Sequence, residues 1–73
     1  MPITLKAARV NTGLTQKEAA QRIGVSVDTL RNYERGKSYP DIPVLKKIEK
    51  VYGVPYNQLI FLPIDYGLTV KNE

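Results

Sequence analysis

Four glycines divide the chain: Gly13, Gly24, Gly36 and Gly53 each close a short stretch in which apolar residues recur at helical spacing. That punctuation admits only short helices. Leu5, Ala8, Arg9 and Thr12 share one face of a first helix over residues 4–12. Thr15 with Glu18 three residues on is a capping box, flanked by Leu14 and Ala19 as a hydrophobic staple, so a second helix begins at Gln16 with Ala19, Ala20 and Ile23 inward. Ser26 caps a third helix that ends near Arg35, with Val25 and Leu30 as a second staple. After a loop over residues 37–41, Asp41 caps a fourth helix, which tolerates Pro43 in its first turn. Its stripe of Val44, Leu45, Ile48, Val51 and Tyr52 opposes Lys46, Lys47 and Lys50, a solvated face. A short fifth helix is expected over residues 56–61, between Pro55 and Pro63. The pattern predicts an all-α, five-helix domain.

At 73 residues there is room for one small core, placed at residues 1–62, with residues 63–73 as a C-terminal tail. The chain has no cysteine and no histidine. It therefore lacks thiol and imidazole nucleophiles and bases, and the ligands of a zinc finger. With few serines and scattered carboxylates, no catalytic constellation remains, and no enzyme activity, metal, cofactor or small-molecule ligand is expected. The longest apolar run, residues 59–64, is too short to span a bilayer, and no signal-peptide core follows Met1; a soluble, cytoplasmic protein is expected.

The net charge of +4 lies entirely in residues 1–40, which hold seven bases against three acids, whereas residues 41–73 balance four against four. A basic half on so small a domain points to a polyanionic partner. The second and third helices, joined only by Gly24, Val25 and Ser26, have the spacing of a helix-turn-helix. Ala20 is small where the third helix must cross, and Ile23, Leu30 and Tyr33 face inward.

This stretch resembles the lambda-repressor-like helix-turn-helix family of phage Cro and repressor proteins and small bacterial regulators. The resemblance is carried by Gly13-Leu14-Thr15-Gln16, by Ala20 and Gly24-Val25-Ser26, by Tyr33-Glu34-Arg35-Gly36-Lys37, by Pro40, and by residues 45–54. It covers roughly residues 3–60. It implies a five-helix domain that binds double-stranded operator DNA as a homodimer, with the third helix in the major groove and the second crossing the backbone.

A helical wheel sorts the third helix independently of any family. Leu30, Tyr33 and Glu34 share the inward arc with Thr29 at its edge; Val27, Asp28, Arg31, Asn32 and Arg35 share the outer one. Solvation does not explain an exposed valine there. Val27 fits a thymine methyl, Arg31 the O6 and N7 of guanine, Asn32 the N6 and N7 of adenine, and Asp28 a cytosine amine or the helix dipole. Val27 stands where phage members often carry glutamine, a departure from their pattern. Geometry and resemblance together assign Gln16, Lys17, Thr29, Arg35, Lys37, Ser38 and Tyr39 to phosphates. A sequence-specific transcriptional repressor or Cro-like regulator is the leading reading; the alternative is an antitoxin or adaptor using the same fold to hold a protein. Only the first requires Arg31, Asn32 and Arg35 on one surface with Gln16 and Lys37.

Two further expectations concern packing. Arg9 and Glu34 both lie on inward arcs and should pair, as the resemblance also implies. Beyond Pro63, the apolar residues Ile64, Tyr66, Leu68 and Val70 alternate with Asp65, Gly67, Thr69 and Lys71, the pattern of a half-buried strand. Because an all-α domain offers no sheet to join, the tail is expected to pair with a second copy and to bury Ile60, Phe61 and Leu62 at the dimer interface; the other option is that it covers the first and fifth helices.

Overall fold

The computed structural model describes residues 2–61. In chain order it has β1 (Ile3–Thr4), α1 (Leu5–Asn11), α2 (Gln16–Ile23), α3 (Val27–Arg35), α4 (Ile42–Tyr52), a 3-10 turn (Tyr56–Gln58) and β2 (Leu59–Ile60). Each α-helix starts where a side-chain oxygen takes up an orphan first-turn donor. Thr4 accepts from Ala7 N–H, Ser26 from Thr29 N–H and Asp41 from Val44 N–H, while Thr15 and Glu18 form the complete capping box. These bonds hold the Glu18 carboxyl below its ordinary pKa of 4.5: the Thr15 N–H acts first, its hydroxyl second.

The core comprises Leu5 and Ala8 of α1, Ala19, Ala20 and Ile23 of α2, Leu30 and Tyr33 of α3, Ile48 and Tyr52 of α4, and Leu59 of β2. Ala19 and Ala20 are fully buried. Their small side chains let α2 pack closely on both α3 and α4, so the helix-turn-helix rests on α4 as a base. The Arg9 side chain also enters this interior.

Two expectations are corrected. Residues 56–61 do not form a fifth helix: one 3-10 turn gives way to extended backbone at Leu59, whose φ is −88° and ψ 132°. Pro55 supplies no side-chain cap, and six residues gain too few hydrogen bonds to offset helix nucleation. Instead, Leu59 is buried and β2 pairs in parallel with β1, Ile3 opposite Leu59 and Thr4 opposite Ile60. The domain therefore contains a sheet, and the premise that the tail finds none to join does not hold. The tail, with Leu62, Ile64, Tyr66, Leu68 and Val70, lies outside the described residues.

Candidate nucleic-acid interface

The turn between α2 and α3 depends on Gly24, which adopts φ +92° and ψ 30° as it caps α2. Its N–H and that of Val25 both donate to the Ala20 carbonyl, at 2.8 and 3.0 Å. A Cβ here would find space, 3.6 Å from the Lys47 Nζ, so the left-handed backbone and not crowding is what calls for glycine. Ser26 then starts α3, its hydroxyl donating to Thr29 Oγ1 at 2.8 Å while accepting from Thr29 N–H. The Thr29 hydroxyl is thus engaged in the cap.

The outward face of α3 carries Asp28, Arg31, Asn32 and Arg35. Arg31 Nη1 donates to Asp28 Oδ1 at 2.7 Å, with the two side chains 42% and 86% exposed. Arg35 is exposed, and the half-buried Asn32 has no side-chain hydrogen bond among the described residues. Val27 corrects the expectation of an exposed valine: it is half-buried against the hydrophobic core, which accounts for an apolar residue there without reference to DNA.

The opposite side of the same helix is fastened down. Arg9 Nε donates to Glu34 Oε2 at 2.8 Å and Nη2 to Oε1 at 3.3 Å, while Nη1 reaches the Leu14 carbonyl at 3.0 Å. Gln16 Nε2 donates to the same Glu34 Oε1 at 3.0 Å. One carboxylate, 5% exposed, therefore ties α1, the start of α2 and α3 together. The Gln16 amide is oriented by this bond and keeps one N–H to offer. Tyr52 senses the same cluster: burial above all, and then the Glu34 charge, pushes its phenol up to about 12. Its buried hydroxyl has no hydrogen-bond partner among the described residues.

The helix-turn-helix family model matches residues 5–59, three quarters of the chain and all four α-helices. The chain belongs to the lambda-repressor-like helix-turn-helix family. Its curated relatives include the HTH-type transcriptional regulator ImmR of Bacillus subtilis, 41% identical over 56 residues that cover 77% of this chain and 44% of ImmR. The cryptic phage CTXphi transcriptional repressor RstR of Vibrio cholerae is 38% identical over 56 residues, covering 77% and 50% of the two chains. The HTH-type transcriptional activator BcrR of Enterococcus faecalis is 34% identical over 56 residues, covering 77% and 28%. The chain thus spans half, or less, of the length of these curated relatives.

Around this family's helix pair, the remaining candidate residues fall in different places. Lys17 and Lys37 are exposed on either side of α3 in sequence, and the Lys37 N–H closes the end of α3 on the Asn32 carbonyl at 2.9 Å. Ser38 is half-buried. Tyr39 packs edge-on against Phe61, with ring centroids 6.0 Å apart and planes at 80°. Thus Tyr39, assigned to a phosphate, and Phe61, assigned to a dimer interface, share one aromatic contact, while Ile60 of β2 remains 43% exposed. Sequence reasoning passed over Lys6. With Gln16, Arg31, Glu34 and Arg35 it lines an open cleft of about 300 Å³ beside α3. The available signal was its place three residues before Arg9 on α1, which sets it one turn from the buried pair. No described helix is long and apolar enough to cross a membrane.

Proposed function

We propose that this chain is the DNA-reading domain of a cytoplasmic transcriptional repressor, binding a pseudo-palindromic operator as a homodimer and blocking transcription by occupancy. The observation that carries the reading is the division of α3: Glu34 is anchored inward to Arg9 and Gln16, while Arg31, Asn32 and Arg35 are presented outward on the helix that follows the Gly24 turn. In this arrangement α3 enters the major groove, Arg31 and Asn32 read base edges with Asp28 beside them, and Gln16, Lys17 and Lys37 hold phosphates on either side. Thr29, Arg35, Ser38 and Tyr39 join the phosphate set. The names of ImmR and RstR support regulation and repression for relatives of this domain. Exposure of Ile60 where the described chain ends supports a dimer interface built from Ile60, Phe61 and the tail that follows.

Selection of bound sequences from random duplex DNA tests this directly. The expected product is an inverted repeat whose half-sites lie about one helical turn, roughly 34 Å, apart. Recovery of single half-sites without symmetry would remove the dimer, and failure to retain any duplex at low salt would remove the function.

A further inference from the structure

We infer that Asp28 and Arg31 read a single base pair together, keeping their ion pair on the DNA and selecting G·C with guanine under Arg31 and cytosine under Asp28. This rests on the DNA-binding reading above. It goes further by naming the base pair and by making Asp28 a specificity-determining residue.

Arg31 Nη1 donates to Asp28 Oδ1 at 2.7 Å, so a donor head and an acceptor head stand side by side on the outer face of α3. Asp28 is the second residue of the helix, and Arg31 follows it by one turn. Helical side chains lean toward the N-terminus, so the long Arg31 side chain carries its guanidinium back to the level of Asp28. That is the end of a recognition helix that meets base edges. Both heads keep bonding capacity. The Asp28 side chain is 86% exposed, and its Oδ2 has no donor among the described residues; Arg31 uses one of its five N–H groups in this bond.

The major-groove edge of a G·C pair offers the complement. Guanine O6, an acceptor, and cytosine N4, a donor, are the two ends of one N–H···O bond of the base pair and therefore lie about 2.9 Å apart. The two protein heads have nearly the same spacing with donor and acceptor interchanged. Arg31 can donate to O6 and to N7 of the same guanine while the groove-side N4–H donates to Asp28. The two heads exchange water for base atoms and keep each other, and neither charge is left unpaired.

The other base pairs fail this fit. C·G and A·T put the donor under Arg31 and the acceptor under Asp28. T·A keeps the order, with O4 under Arg31 and N6 under Asp28, but sets the thymine methyl where guanine has N7. A backbone phosphate is a poor ligand for the pair as well, because Asp28 repels what Arg31 attracts.

The test measures affinity of the full chain for the selected operator and for duplexes carrying each other base pair at the position that Arg31→Ala ceases to read. The wild type should prefer G·C there by about tenfold or more. Removing a repelling charge alone would tighten Asp28→Ala on all four duplexes alike, so the ratio between them is the deciding readout. That ratio should fall severalfold for G·C over C·G and over A·T. N4-methylcytosine opposite the guanine, which replaces the groove-side N–H, should weaken the wild type about tenfold and Asp28→Ala hardly at all. 7-Deazaguanine should weaken the wild type and leave Arg31→Ala unchanged. Ratios equal in Asp28→Ala and wild type, an N4-methyl effect as large without Asp28 as with it, or a selected operator with another base pair at this position would overturn the inference and leave the proposed function in place. An N4-methyl effect found only at a neighbouring base pair, or an Arg31→Ala protein that keeps every base preference, would overturn it too. A wild type that binds no duplex would overturn both.

Discussion

Helix α3 carries two ion pairs of nearly equal length and opposite consequence. On its inner side, Glu34 meets Arg9 at 2.8 Å with side chains 5% and 11% exposed; on its outer side, Asp28 meets Arg31 at 2.7 Å with 86% and 42% exposed. Distance does not separate them, but solvent does. The inner charges have lost their water and depend on each other and on the bonds to Leu14 and Gln16. The outer charges remain hydrated, so their pairing is worth little and is readily exchanged for another partner. In the proposed DNA-binding role, the inner pair would hold the helix in place while the outer side chains exchange partners on the ligand.

The largest expected effect comes from breaking the inner pair. Glu34→Ala leaves the Arg9 guanidinium buried without its carboxylate and should cost about 3–5 kcal/mol in urea unfolding. Arg9→Met combined with Glu34→Leu should recover most of that loss. A double variant as unstable as the single ones would show that the pair is not a coupled unit.

Tyr52 sharpens the inner environment further. Because its phenol is pushed up to about 12 from an ordinary 10.0, the folded state keeps a proton that the unfolded chain releases. Stability should be unaffected below pH 10 and decline as pH rises from 10 to 12, by an amount on the order of 2 kcal/mol. Tyr52→Phe should flatten that decline, and at neutral pH it should cost little, since it removes a buried hydroxyl with no partner among the described residues. Alkaline titration of the thermal midpoint checks both.

Between the two sides lies the turn that orients α3. Gly24→Ala forces a side chain into the left-handed region and should cost about 1–2 kcal/mol, with Lys47 too far away to add a clash. Smallest is the outer pair. Asp28→Ala should change folding stability by less than about 1 kcal/mol, the combined worth of a surface pair and a first-turn dipole interaction. It should nevertheless tighten binding to random duplex DNA by removing a repelling charge. A stability loss comparable to that of Glu34→Ala would erase the distinction between the two pairs.

Much of the scaffold was legible because its signals are local. Thr15 with Glu18, Ser26 and Asp41 mark helix starts through bonds spanning three residues, and Gly24, Gly36 and Gly53 mark ends through their own backbone angles. What failed was decided by distant partners. Leu59 adopts a strand because Ile3, at the other end of the chain, offers a backbone to pair with, a competitor invisible in residues 56–61. Val27 is outward on an isolated wheel, yet the folded domain half-buries it. The place of Lys6 beside Arg35 likewise follows from how α1 and α3 meet, which no spacing along the chain encodes.

In the proposed reading, α3 is clamped by its inner face so that its outer face can read bases. Binding of the wild type and Arg31→Ala to the selected operator and to scrambled duplex at matched salt tests it most directly. Arg31→Ala should lose about 1–3 kcal/mol on the operator, and its preference at one base pair, with little change on scrambled DNA. Equal weakening on both duplexes would contradict it, placing Arg31 among the phosphate contacts and leaving the outward face without its principal reader.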